Sequence, residues 1–365
     1  MLYAGPLLAE RAGIGEGSTG GAETQIFLLA RELRLRGHEV AIVTFDVPSG
    51  LPHEVEGVEV VALPARTPGS SRLRLLFWGV RLVVALARID GRVVVQRGAG
   101  AITGLSAVLA RLGRRPFVYS SANVIDFEYA RLEPNRWVLR LFGLGRRLAR
   151  TIVVQSHEQA ALCRRHWGRS STIIRSLAEP APLRNAPGEA FLWIGRLAPY
   201  KRPELVVELA RKVPDAQFWI LGSASRQHPE LLEQLRRQAA ELPNLELLEP
   251  RPRAALGSLY DRAVAVVNTS EYEGMSNVLL EAWARGVPAL VHSHDPDGLV
   301  VREGLGWYAE GSLNRLAELA TAAWAGREDQ AAIADRCRSY LGREHIPARV
   351  AELWEHVLGM DEPLT

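Results

Sequence analysis

Short β-branched runs alternate with helical patterns along nearly the whole chain, and the alternation breaks once, at "LAEPAPLRNAPGEA" (177–190). Before the break the strand candidates are "MLYAG", "HEVAIVTF" (38–45), "VEVVALP" (58–64), "RVVVQR" (92–97), "FVYSS" (117–121), "TIVVQS" (151–156) and "STIIRS" (171–176). Helical patterns lie between most of them. In "AETQIFLLARELRLRG" (22–37) the apolar residues recur at helical spacing and Gly37 supplies the stop. After the break the rhythm restarts with "AFLWIGRL" (190–197), "AQFWILGS" (216–223), "LELLE" (245–249), "AVAVVNTS" (263–270) and "PALVHS" (288–293). Nearly continuous apolar strands alternating with helices require parallel sheets covered on both faces. Three prolines and a glycine in the break mark a linker. The expected fold class is therefore α/β, with two doubly wound, Rossmann-like domains facing across a cleft. They are expected at 1–178 and 190–342, joined by a linker at 179–189 and followed by a final helix and tail at 343–365. A chain of 365 residues is too long for one typical core. In such sheets ligands bind beyond the carboxyl ends of the strands, so the residues just after strands carry the most weight.

Composition narrows the function classes. A formal charge of +3 is small for this length and argues against a dedicated nucleic-acid binder. Two cysteines, Cys163 and Cys337, exclude a disulfide framework or a cysteine-rich metal site and fit a reducing cytoplasm. The opening "MLYAGPLLAERAG" lacks the basic start of a signal peptide. No run approaches the roughly 18 to 20 apolar residues that span a bilayer; "LLFWGVRLVVALARID" (75–90) is interrupted by Arg81 and Arg88. Of the 44 basic residues only Lys201 and Lys212 are lysines. Against that background, a lysine in a loop stands out.

In "GIGEGSTGGAETQ" (13–25), Gly15, Gly17 and Gly20 spell G-x-G-x-x-G. A dinucleotide turn must follow its strand at once, so that a pyrophosphate meets the next helix N-terminus. Here Glu10 and Arg11 intervene after "MLYAG", and Asp46 comes late for the acidic partner. The pair Gly20-Gly21, directly before a helix starting near Ala22, is the better anion site, because side-chain-free residues let backbone N–H groups approach a phosphate. A merely flexible loop is the plain alternative.

The strongest cluster is "SEYEGMSNVLLEAWARGVPAL" (270–290), which follows the strand "AVAVVNTS". A helix is expected from Ser276 or Asn277, either a good N-cap. Glu273 sits in the strand-end loop and Glu281 just over one turn into the helix. A helix N-terminus beside Gly274 offers donors to an anion while two carboxylates accept from hydroxyls, which suits a ligand with phosphates and sugars. A solvated loop carboxylate and a surface charge would leave the same letters. In "WIGRLAPYKRPE" (193–204), Arg196 ends a strand and Lys201 precedes a helix. A planar fork and a compact point charge suit a diphosphate.

With these pieces the chain resembles the retaining family-4 glycosyltransferases of the GT-B fold. The matching motifs are "GGAE" (20–23), "GRLAPYK" (195–201), the E-x7-E pair Glu273 and Glu281, and "GVP" (286–288). The resemblance implies a C-terminal domain for a nucleoside-diphosphate sugar and an N-terminal domain for the acceptor, with no bound cofactor and no metal. By it, Arg196 and Lys201 grip the diphosphate, Glu273 contacts the donor sugar and Glu281 the ribose. Gly274, Met275, Ser276 and Asn277 hold sugar or phosphate, and Gly20 and Gly21 flank the phosphates. The last helix crosses back to the N-terminal domain, placing Trp354 against it. Many members carry a histidine after the fifth strand; "FVYSSANVIDFEY" (117–129) has none. Asn123 and Asp126 are the residues placed to substitute, with a turn-stabilising role as the alternative, and Arg97 is placed to bind an anionic acceptor. The basic, apolar stretches 72–88 and 135–150 read either as core helices with arginine rims or as peripheral membrane contacts. The latter would make the acceptor a lipid or lipid-linked saccharide at the inner membrane face.

Competing readings are a non-catalytic binding protein of the same fold, a glycoside hydrolase using Glu273 and Glu281, and an NAD-dependent dehydrogenase. The hydrolase leaves Arg196 and Lys201 idle. The residues leave open the donor base (UDP, GDP or ADP), the sugar and the acceptor.

Overall fold

The computed structural model describes residues 2–4, 6–12, 20–45, 50–63, 80–85, 89, 91–223 and 228–360. Gly15, Gly17, Asp46 and most of the basic stretch 72–88 lie outside the described residues. The chain divides into two compact units: Met1–Leu177 with Pro347–Thr365, and Ala178–Ile346.

The first unit holds an eight-stranded sheet among the described residues. Its strands are β1 (Leu2–Ala4), β2 (Ala41–Phe45), β3 (Glu54–Val55), β4 (Val58–Ala62), β5 (Val94–Arg97), β6 (Phe117–Ser120), β7 (Thr151–Val154) and β8 (Thr172–Ile173). Their order is β3-β4-β2-β1-β5-β6-β7-β8. Every pairing is parallel except β3–β4, an edge hairpin of which the strand pattern shows only the second arm. Its two turn residues, Glu56 and Gly57, both have positive φ (47° and 80°), as a tight hairpin turn requires.

Alternate residues of a strand feed opposite faces. Val95, Val118 and Val153 join Leu28, Leu29 and Leu33 of helix Gly21–Leu35 and Val350 and Trp354 of helix Pro347–Leu358. Phe117, Tyr119 and Ile152 pack on the other face with Ala107, Ala110 and Phe142. The last helix is clamped to the unit by Glu355, which accepts from Arg36 Nε and Nη2 at 2.9 and 2.6 Å and pairs with His38 at 2.6 Å. Helices Ala101–Leu112 and Arg136–Leu148 touch backbone to backbone. A Cβ on Gly104 would meet the Leu141 carbonyl oxygen at 2.1 Å, and one on Gly145 the Thr103 carbonyl oxygen at 2.6 Å.

Among its described residues the second unit holds a six-stranded parallel sheet: β9 (Ala190–Arg196), β10 (Phe218–Ser223), β11 (Leu245–Leu247), β12 (Ala263–Asn268), β13 (Ala289–Val291) and β14 (Gly306–Tyr308), in the order β11-β10-β9-β12-β13-β14. All six residues of β12 are buried, as expected of a central strand covered on both sides. Helices Glu204–Lys212 and Leu313–Ala325 cover one face through Val206, Leu209, Leu316 and Ala320. Leu279, Trp283 and Tyr340 cover the other. In each unit the strand order reverses once, between β1 and β5 and between β9 and β12. These reversals are where open α/β sheets leave a crevice for ligands.

Candidate functional site

The reversal point of the second sheet gathers the residues singled out by sequence. β9 ends at Arg196 and leads into a single turn, Pro199–Lys201. The neighbouring strand β12 leads through residues 269–276 into helix Asn277–Ala284. Across these loops Lys201 Nζ donates to Glu273 Oε1, an ion pair between residues 72 apart in sequence. Ser270 Oγ donates to the same oxygen at 2.9 Å. Glu273 is buried, at 8% exposure. Burial alone would lower the Lys201 ammonium pKa, and the Glu273 carboxylate and the Tyr200 side chain outweigh it, leaving the pKa raised. Lys201 therefore stays a cation in this setting. Arg196 is exposed beside it, close enough to oppose its charge.

Glu281 lies on helix Asn277–Ala284 and is held at both oxygens. Arg253 Nη2 donates to Oε1, and the Tyr260 hydroxyl donates to Oε2 at 2.8 Å. Burial and the Glu281 charge push the Tyr260 phenol well above its ordinary pKa, so it remains a donor. Sequence reasoning misses both partners. Arg253 falls within "EPRPRAAL" (249–256), where no single residue stands out by its letter, and Tyr260 reads as an ordinary core aromatic. Ser276 is the helix N-cap, but its side chain makes no capping bond, contrary to the expectation from its residue type. The first turn carries no acid, and its leading amides have no intrahelical acceptor. Gly274, Met275 and Ser276 are buried at this terminus, and Asn277 opens the helix, half-buried.

In the first unit the glycine pair begins helix Gly21–Leu35 with Gly20 as N-cap. The Gly20 N–H donates to Glu23 Oε2 at 3.1 Å, so the chain's own carboxylate already occupies that donor. Arg97 ends β5, beside the strand reversal. Its Nη1 donates to Ser120 Oγ at 3.0 Å, and its Nε is buried without a partner. Burial lowers its pKa to about 10, against the pull of Asp126.

Asn123 and Asp126 form a turn, the alternative that their residue types left open beside a ligand contact. Asn123 Oδ1 caps the short helical segment by accepting from Ile125 N at 3.2 Å. Asp126 is buried, and its Oδ2 accepts from Ala122 N at 2.7 Å, Ser121 Oγ at 3.0 Å, Tyr119 Oη at 3.1 Å and Asn123 N at 3.4 Å. Four donors on one oxygen leave that atom no capacity for an incoming hydroxyl. Arg196, Lys201, Glu273 and residues 274–277 therefore cluster around one strand reversal, while Asn123 and Asp126 fold into their own turn.

Comparison with known proteins matches the description Glycosyltransferase Family 4 to residues 19–176 and Glycosyl transferases group 1 to residues 178–340. A D-inositol 3-phosphate glycosyltransferase of Nocardia farcinica is 32% identical over 158 residues, covering 40% of this chain and 34% of that protein. The same-named protein of Mycolicibacterium gilvum is 30% identical over 162 residues, covering 38% and 37%. The matched region thus spans about a third of the length of these curated relatives. Among solved structures, sucrose-phosphate synthase from Thermosynechococcus elongatus superposes with a TM-score of 0.76 at 18% identity over 98% of both chains. A glycosyltransferase from Rickettsia africae superposes at 0.70 and 14%, covering 98% of this chain and 97% of that one.

Proposed function

Because the chain belongs to the family-4, group 1 glycosyltransferases of GT-B fold, we propose that it moves a hexosyl group from a nucleoside-diphosphate sugar to an acceptor hydroxyl with retention of configuration. The observation that carries this reading is the meeting of Lys201 and Glu273 at the reversal point of the second sheet, beside an acid-free helix N-terminus. Breaking the anomeric C–O bond builds negative charge on the departing diphosphate and positive charge on the sugar. In this reading Lys201, Arg196 and the amides at 274–277 stabilise the anion, and the Glu273 carboxylate is assigned to the cationic sugar. Lys201 has three donors, so its bond to Glu273 leaves it able to take phosphate oxygens. Glu281, held by Arg253 and Tyr260, accepts from the ribose hydroxyls. The acceptor hydroxyl attacks from the face the diphosphate leaves and passes its proton to the departing diphosphate oxygen as the new C–O bond forms. We assign charge stabilisation to these groups without a metal; transfer that persists with a chelator present supports this, and transfer that needs added metal refutes it.

The donor class is tested by a thermal-shift panel with UDP, GDP, ADP and NAD. A ligand that binds only the folded state, at 100 times its dissociation constant, adds about 2.7 kcal/mol. One nucleoside diphosphate is expected to raise Tm and NAD to leave it unchanged; an NAD shift alone overturns the reading. Acceptors to assay are saccharides, lipid-linked saccharides and small polar molecules, including the D-inositol 3-phosphate for which the relatives are named. Arg97 supports an anionic acceptor.

A second feature favours an acceptor presented at a cytoplasmic membrane face. Helix Arg136–Leu148 contains no acid, and its exposed residues are Arg136, Trp137, Arg140, Leu141, Leu144 and Arg147, with Trp137 at 69% exposure. Cationic and apolar side chains on one face suit an anionic bilayer surface. No helix among the described residues is long and apolar enough to cross a membrane. Co-sedimentation with anionic but not zwitterionic vesicles is expected; equal recovery with both removes the membrane reading.

A further inference from the structure

Two tyrosines sit one residue before the ion pair at the proposed donor site. Tyr200 precedes Lys201, Tyr272 precedes Glu273, and their rings stack with centroids 4.9 Å apart and planes 8° from parallel. Both rings are half-buried, and neither belongs to a core cluster of the second unit. Their contact therefore joins loop to loop and is not part of the core packing.

Two hydrogen bonds tie the same two loops, each to a backbone carbonyl of the Lys201 loop. The Glu271 N–H donates to the Tyr200 carbonyl at 2.8 Å. Thr269 Oγ1 donates to the Lys201 carbonyl at 2.6 Å. Trp193, on β9, fixes that hydroxyl by donating from Nε1 at 2.9 Å. The Lys201 ammonium also lies 5.4 Å from the Tyr200 ring centroid, within range of attraction to its face. Arg202, immediately after Lys201, adopts the left-handed conformation at φ 48°.

We infer that the Tyr200–Tyr272 stack is a positioning clasp that sets the separation of the Lys201 and Glu273 loops. The two tyrosines act through their neighbours and need not touch substrate. This inference rests on the donor-site reading for its catalytic consequence, though the mechanical link can be tested without it. Catalysis is sensitive to such a link: a displacement of about 1 Å in a reacting group costs about 100-fold in rate. Nucleotide affinity depends as well on Glu281 and its partners, which the clasp does not hold.

The test compares Tyr200→Leu, Tyr200→Phe, Tyr272→Leu and the double leucine variant by amide hydrogen exchange and by kinetics. Tyr200→Leu is expected to speed exchange in segments 199–202 and 269–273 together, with Tm within a few degrees of wild type. It should lower kcat by about 10- to 100-fold and change the Kd of the bound nucleoside diphosphate by less than about threefold. Tyr200→Phe keeps the ring and should restore most of that loss. The double variant should lose little beyond Tyr200→Leu, because the stack is already broken in that single variant and Tyr272→Leu removes the stack alone. Unchanged exchange in 269–273 with unchanged kcat in Tyr200→Leu overturns the clasp, as does Tyr200→Phe losing as much as Tyr200→Leu. Wild-type protein that binds no nucleoside diphosphate refutes the functional reading instead, and the exchange comparison then still decides the clasp.

Discussion

The buried and half-buried carboxylates near the strand ends of the two units are used in opposite ways. In the second unit Glu273 pairs with a lysine 72 residues away, and Glu281 is held by groups 28 and 21 residues away. In the first unit the donors that hold Asp126 Oδ2 come from residues three to seven positions away. One kind of carboxylate brings distant loops together; the other completes a single turn. A buried carboxylate is thus no functional signal by itself. The origin of its partners, and whether any oxygen capacity is left over, separates a site from a scaffold.

Two isosteric substitutions sharpen this contrast. Glu273→Gln keeps an acceptor for Lys201 and Ser270 but removes the charge that the proposed reaction sets against the sugar. It is expected to lower kcat by about 100- to 1,000-fold, the scale seen when one transition-state electrostatic contact is lost, while nucleoside diphosphate affinity stays within a few-fold. Initial rates and isothermal titration check both parts, and full activity in this variant removes Glu273 from the reaction.

Asp126→Asn should do the reverse. The amide places a donor among groups that themselves donate, so about 1–3 kcal/mol of stability is lost and kcat at saturating substrate is retained. Its pH behaviour carries a second signature. Burial raises the Asp126 pKa, with hydrogen bonds from Ala122, Ser121, Tyr119 and Asn123 opposing it. A native state that holds its proton more tightly than the unfolded chain loses stability as pH rises from the ordinary value of 3.8 through the raised one. Wild type should show this decline in denaturant melts, and Asp126→Asn should lack that component. A variant with unchanged Tm and depressed kcat would instead return Asp126 to the acceptor site.

The legibility of the two units in the sequence follows the same division. Strand rhythm predicts the parallel sheets because a strand covered on both faces must be apolar throughout, as β12 is. The hairpin β3–β4 hides because Glu56 carries no turn signature of its own, and β14, three half-buried residues long, is too short for a pattern. Charged residues at strand ends are visible as chemistry, so Lys201, Glu273 and Glu281 stand out from the sequence alone. Their supports do not: Tyr200, Tyr272, Arg253 and Tyr260 are ordinary letters until the fold brings them to a partner. The turn at Asn123 and Asp126 is readable either way, since both residues favour turns and ligand contacts for the same reason, a short side chain with oxygen acceptors.

The smallest expected effect tests whether the holding of Glu281 matters beyond packing. Tyr260→Phe removes one hydroxyl from a buried ring and leaves Arg253 as the partner of the other oxygen. A hydrogen bond to a charged acceptor contributes about 1.5–3 kcal/mol at most, and Arg253 still orients the carboxylate, so a roughly threefold to tenfold rise in nucleoside diphosphate Kd is expected. The comparison that isolates the role is with a 2′,3′-dideoxy nucleotide. If Glu281 receives the ribose hydroxyls, the variant and wild type should bind that analogue equally, because the interaction weakened by the substitution is already absent. If Tyr260→Phe weakens both nucleotides alike, the hydroxyl supports the pocket wall and the long-range holding of Glu281 is structural, like the turn in the first unit.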